Sequence, residues 1–358
     1  MNKKLIALAV AGACVAPAAM AQTANPVTLY GRIYATFETV QATGGTGADV
    51  PSRNRVADQA SYLGVKGTED LGGGLKAVFQ LETGFHPDQN DVAGAASSWA
   101  GRNSGVGLQG SWGTLIMGRW DTPYKTTTIA VDPYGDLTLG GITAAMSGSG
   151  ARNVQAEFDR RDQNVVQYWS PNWSGFEFRA SYSANEGHTA TLNPRSNGAS
   201  LTWKGGPIYV GYAYHELFDT AYGTPVLQKQ QANAVFGYFD IGPVRLGAVY
   251  DKNMRTNLTD QNAWMANIVW TIGNNQLSYQ HQDSKNGEVS TISVQPHCTV
   301  DALGWQYNFS KRTFFLAQYV TINNKTDTAT CNFGANTLAL TSANQDPKGV
   351  SLGLRHVF

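Results

Sequence analysis

Apolar and polar side chains alternate one by one along this chain, in stretches of about ten residues, and a period of two is the signature of a β-strand with one greasy face. Leu29, Gly31, Ile33, Ala35 and Phe37 interleave with Tyr30, Arg32, Tyr34, Thr36 and Glu38. Leu75, Ala77, Phe79 and Leu81 interleave with Lys76, Val78, Gln80 and Glu82; Phe176, Phe178, Ala180 and Tyr182 with Glu177, Arg179, Ser181 and Ser183. Leu303, Trp305, Tyr307 and Phe309 do the same with Ala302, Gly304, Gln306 and Asn308. A helical core is incompatible with that period.

A soluble β-sandwich alternates in the same way, so the connections have to decide. Tight turns fall at Asp70–Gly74, Pro171–Gly175, Lys204–Pro207, Ile241–Pro243 and Ser310–Arg312, and between them run long polar loops such as Asp121–Arg160 and Asn324–Pro347. Short turns at one end and long loops at the other are the layout of a transmembrane barrel. Aromatics at strand ends (Tyr30, Trp203, Trp270, Tyr307, Phe309) suit its interfacial girdles. The runs count to sixteen strands with the first and last able to pair, as closure in hydrocarbon requires. A barrel of that size encloses water. Charged residues at 15%, aromatics at 11% and 39 glycines fit a β protein of this kind. Alternation is weakest around residues 102–110 and 230–241.

The first 21 residues read as an export signal. Lys3 and Lys4 precede the apolar run Leu5–Val15, and Ala19-Met20-Ala21 offers a small-x-small cleavage site between Ala21 and Gln22. The apolar run is too short to cross a bilayer as a helix. Residues 22–358 then form one barrel domain, with no linker and no shift in composition. Losing Lys3 and Lys4 from 26 basic residues leaves 24 against 26 acids, which argues against nucleic acid as a partner. Cys14 leaves with the signal, so Cys298 and Cys331 remain; an oxidising compartment makes one disulfide possible, two unpaired thiols being the alternative.

Three segments resemble the general diffusion porins of Gram-negative outer membranes, especially their β-proteobacterial branch. Val27-Thr28-Leu29-Tyr30-Gly31-Arg32 looks like their first strand, and Tyr62-Leu63-Gly64-Val65-Lys66-Gly67-Thr68-Glu69-Asp70-Leu71-Gly72 like their second strand and first turn. Gly353-Leu354-Arg355-His356-Val357-Phe358 resembles their last strand. The resemblance implies an all-β, 16-stranded antiparallel transmembrane β-barrel with short periplasmic turns and long extracellular loops. It implies a homotrimer in contact with outer-membrane lipid and lipopolysaccharide, and a terminal Phe358 read by the barrel-assembly machinery. It makes 121–160 the third loop, folded inward to constrict the lumen. No cofactor or metal is expected.

Passage of ions and small hydrophilic solutes through such a pore depends on sterics and on charge at the narrowest point. By resemblance Val131-Asp132-Pro133-Tyr134-Gly135-Asp136 is the constriction turn, with Asp132 and Asp136 as its acids. Arg32, Arg102 and Arg161 are expected to face them from the wall. Arg160 competes with its neighbour, since adjacent strand residues face opposite ways. Tyr62 stands where many relatives carry an arginine, which weakens the basic wall unless Arg53 or Arg55 substitutes. Three bases against two acids predict mild anion preference. An enzyme is disfavoured, for no H-E-x-x-H motif or other catalytic constellation stands out and the six histidines are scattered. Gly72-Gly73-Gly74 reads as a turn, not a phosphate loop. A substrate-specific channel, marked by an aromatic ladder along the lumen, is the alternative; the inward faces read as mixed polar.

Overall fold

A computed structural model describes residues 27–89, 99–135, 138–146, 158–184, 186–190, 192–219, 229–255, 260–286, 297–326 and 331–358. The export segment, with Ala21 and Gln22, and Asp136 lie outside the described residues. Seventeen strands form one antiparallel sheet: β1 Val27–Thr43, β2 Val50–Asp58, β3 Tyr62–Gly72, β4 Leu75–Gly84, β5 Ser104–Gly110, β6 Gly113–Asp121, β7 Arg161–Trp169, β8 Phe176–Ser183, β9 Arg195–Gly205, β10 Ile208–Phe218, β11 Lys229–Ile241, β12 Val244–Arg255, β13 Gln261–Ile272, β14 Asn275–Asn286, β15 His297–Asn308, β16 Thr313–Asn324 and β17 Asp346–Val357. Each strand pairs with its sequence neighbour, except that β2 and β3 both pair with β1, along its upper and lower halves. They are one barrel strand with a break, so the barrel has sixteen staves. β1 also pairs with β17, from Arg32↔Val357 to Thr43↔Asp346, and closes the ring.

Closure extends to the last residue. The Phe358 N–H donates to the Gly31 carbonyl and the Gly31 N–H to the Phe358 carbonyl, each at 3.1 Å. The Phe358 ring covers Gly31: a Cβ added there would lie 2.6 Å from the ring Cζ. The missing side chain of Gly31 is thus a seat for the terminal ring.

Period two holds around the wall. On β17 Val350, Leu352 and Leu354 are exposed while Ser351 is buried. Val106, Val235, Leu246, Ile268 and Leu303 likewise face outward. Where alternation is weak in the sequence, two different physical causes operate. In β5, Gly105 and Gly107 lie so near the β6 backbone that an added Cβ would stand 2.4 Å and 2.2 Å from its carbonyl oxygens. In β11, Ala232, Ala234 and Phe236 are apolar and buried on the inner side, because the segment between β6 and β7 folds into the barrel and packs on them.

That inserted segment begins with α1, Pro123–Thr128. Its Tyr124, Val131, Ile142 and Met146, with Phe158, meet the inner faces of β10–β13. Leu139, Ala144 and Ala145 meet Val40, Val300, Ala302, Val320 and Ile322 from β1, β15 and β16. A buried aliphatic or aromatic side chain contributes roughly 1.5–3 kcal/mol, so these two clusters fix the segment against the wall. The last loop joins it, with Phe333 and Leu338 in the same cluster and Cys331 bonded to Cys298 of β15.

Filling the seat under the terminal ring tests its role. Gly31→Val displaces Phe358 and the adjacent Tyr62 carbonyl, an overpacking cost of about 1–3 kcal/mol. The expected outcome is a reduced yield of heat-modifiable barrel on gel electrophoresis, with Ile33→Val at the next outward position as an unaffected control.

Candidate functional site

The inserted segment is locked by hydrogen bonds that its own sequence provides. Thr122 caps α1 by accepting the Lys125 N–H at 3.2 Å, with Pro123 in the first turn where no donor is needed. The Asp132 carboxylate accepts the backbone N–H of Tyr134 at 2.9 Å and of Ile142 at 2.6 Å, which draws the turn closed. The Tyr134 hydroxyl lies 3.0 Å from the carbonyl oxygens of Ser278 and Ala302 and pins the turn to the wall. Gln280 and Gln282 donate to the Gly140 carbonyl, Gln318 accepts its N–H, and Asn267 donates to the Val131 carbonyl. Inward amides that read as lumen polarity therefore dock the inserted backbone.

On the uncovered wall, Arg32 and Arg102 come together over one ring. The Arg32 Cζ stands 5.2 Å from the Tyr62 ring centroid and the Arg102 Cζ 4.9 Å from it. Tyr62 sits on β3, Arg32 on β1 at one side, and Arg102 reaches over from beside Glu82 of β4 at the other. Arg32 also donates from Nε and Nη2 to the carbonyls of Ala60 and Gln59, at 2.7–3.2 Å. Those carbonyls belong to the break between β2 and β3, where Ala60 takes a positive φ of 55°. Glu82 receives the Arg102 Nε and the Tyr30 hydroxyl. Tyr30 packs edge-on against Tyr62 at 6.1 Å, with Lys66 over its face at 5.1 Å.

The stripe continues across the closure. Arg355 faces Tyr34 in register and lies 5.1 Å over the Phe314 ring. Phe314 and Tyr34 meet edge-to-face at 5.7 Å. The wall thus reads Phe314, Arg355, Tyr34, Arg32, Tyr62, Arg102, from four strands and one loop. Its rings come from separated segments, one or two per strand, so no single strand displays them as a ladder. The inward parity of Arg355 and Lys66 was the available signal for both. Glu82 shared that parity signal, and the ring-platform role of Tyr62 had none.

Arg161 lies in a second cluster. It donates to Asn103 at 2.7 Å and pairs with Asp121 at 3.0 Å, while Lys125 of α1 stands 3.2 Å from Asp159. Arg160 turns instead to buried Asp162, at 2.6 Å, so the two neighbours take different partners. Arg55 pairs with Glu38 at 2.7 Å, above the break, and does not join the Tyr62 cluster. One catalytic pattern, G-x-S-x-G, does occur, at Gly349–Gly353. It lies in mid-strand β17 with Ser351 buried and opposite Glu38, whereas a nucleophile elbow needs an exposed strand-to-helix turn.

Comparison with known proteins matches residues 7–327 to the family profile of Gram-negative porins. The major outer membrane protein P.IB of Neisseria gonorrhoeae is 31% identical over 343 residues, covering 87% of this chain and 91% of that protein. Among solved structures, the anion-selective porin from Comamonas acidovorans aligns over 93% of this chain and all of its own, with TM-score 0.78 and 23% identity. A trimer form of OmpT from Vibrio cholerae aligns over 94% of this chain and all of its own, with TM-score 0.69 and 16% identity.

If Asp132 chiefly closes the turn, Asp132→Ala leaves two backbone donors without acceptors, at about 1–3 kcal/mol each. Expected results are noisier open-channel current and faster proteolysis within 129–146, while the reversal potential in a KCl gradient moves little. A large selectivity shift with a quiet channel would mark it as a charge filter instead.

Proposed function

The chain belongs to the Gram-negative porin family, and from that premise we propose that this outer-membrane diffusion channel is an anion-preferring homotrimer whose selectivity resides in the Arg32–Tyr62–Arg102 wall. The family membership and the closed sixteen-stave barrel establish a water-filled passive pore for ions and small hydrophilic solutes. One observation carries the finer reading: Arg32, Arg102, Arg355 and Lys66 gather around Tyr30, Tyr34, Tyr62 and Phe314, with the Glu82 carboxylate in contact with Arg102 and Tyr30. Guanidinium groups remain charged at every relevant pH, so the wall keeps its sign. In a narrow water column such charge is poorly screened and favours anions.

The remaining parts of the reading follow from the same premise. Residues 1–21 serve as the export signal, cleaved between Ala21 and Gln22. Phe358, hydrogen-bonded to Gly31 at the closure, is the group presented to the assembly machinery. The exposed apolar band meets outer-membrane lipid, with lipopolysaccharide at the rim. Asp121 and Asp159, paired with Arg161 and Lys125, are the acids where α1 enters the lumen. The channel performs no bond chemistry. Support for three-fold assembly comes from the OmpT trimer form, and support for the sign of the filter from the anion-selective Comamonas porin.

Planar-bilayer recording checks both parts on one preparation. Conductance is expected in steps of three, with a chloride-over-potassium permeability ratio above unity in a KCl gradient. Arg355→Gln and Lys66→Gln together lower that ratio toward unity. A potassium preference in the unaltered protein overturns the reading.

A further inference from the structure

We propose that the stripe Phe314–Arg355–Tyr34–Arg32–Tyr62–Arg102 is a binding track for planar aromatic carboxylates, so that the channel discriminates among anions of equal charge and not only between anions and cations. The proposal rests on the anion-preferring reading above and names its solute class.

A filter for inorganic anions needs only charge. Here each arginine lies over a ring: Arg355 over Phe314, and Arg32 and Arg102 over Tyr62. A stacked guanidinium is held by cation–π attraction and offers its second planar face outward. A flat π-system can stack on that face, while its carboxylate is drawn by the guanidinium charge. An aliphatic acid has only the second interaction. Neighbouring rings lie 5.7 Å and 6.1 Å apart where they meet edge-on, as Tyr34 does with Phe314 and Tyr30 with Tyr62. A solute leaving one platform therefore finds the next.

Tyr34, opposite Arg355 in register, is only 4% exposed, so the stripe is tightly packed at its centre. The facing side of the lumen does not compete through Asp132, whose oxygens hold the backbone of Tyr134 and Ile142.

Block of chloride current through the full-length trimer, by potassium benzoate and by potassium cyclohexanecarboxylate, tests the track. The two acids share charge and ring size and differ in planarity and π-character. Benzoate should half-block at a concentration about fivefold lower than cyclohexanecarboxylate, the increment expected from one exposed cation–π contact. Tyr62→Leu and Phe314→Leu should each reduce that ratio, and Tyr62→Phe should keep it. Equal half-block by the two acids in the unaltered channel overturns the proposal, even if both leucine variants fail to assemble. A ratio that persists in well-assembled leucine variants overturns it too. Failure of the underlying anion reading registers separately, as a potassium-selective reversal potential in plain KCl.

Discussion

Hydrocarbon provides no hydrogen-bond partner for a peptide group, and the architecture follows from that constraint. Every stave must have two neighbours, so the first must find the last, and pairing continues to the final residue of the chain. The constraint is most visible where the sheet is interrupted. Between β2 and β3 the backbone leaves the ladder for three residues, and the freed groups are met one by one. Gln59 N–H reaches the Tyr34 carbonyl, the Ser61 hydroxyl accepts the Tyr34 N–H, and Arg32 covers the carbonyls of Gln59 and Ala60. An arginine that faces the lumen thus also repairs the wall. Its two duties use different parts of the side chain, the edge for the carbonyls and the flat face for Tyr62.

The lumen owes its shape to a second burial problem solved inside the first. A water-filled barrel ordinarily keeps its inner face polar, yet β10–β13 and β15–β16 carry alanines, valines and phenylalanine inward. Those residues are the floor on which the inserted segment and the last loop lie. Apolar contact holds the segment down, and glutamine and asparagine amides register its backbone. What remains open among the described residues is the opposite side, and there the arginines and rings are displayed. On the proposed reading, selectivity follows from where the insert lies as much as from which residues line the wall.

Strand existence, the alternation of turns and loops, the sixteen-fold count and the closing ends were legible because a period of two is a local property. Arg32 and Arg102 were legible by parity and resemblance, and the structure brings them together. Partnership was not legible. Tyr62 looked like a gap in a basic row, because nothing local says that a ring can hold two guanidiniums from neighbouring strands. The hold of Asp132 on the backbone of Ile142 was not legible either, because that partner lies ten positions further on. The failure of alternation in 230–241 resembled noise and was in fact the imprint of the insert.

The bond between Cys298 and Cys331 has a consequence for how the barrel is put together. It closes a covalent ring, 33 positions apart in sequence, that contains the whole β15–β16 hairpin. Cys298 stands directly opposite Asn324, and Asn324 in turn holds the backbone of Cys331 with both ends of its amide. The hairpin is thus gauged at its open end by a bond as well as at its tip by a turn. Slipping by a single position would exchange its water-facing and lipid-facing sides throughout. Once oxidised, this pair of staves carries its own alignment key into the membrane, independent of the neighbours it will meet there.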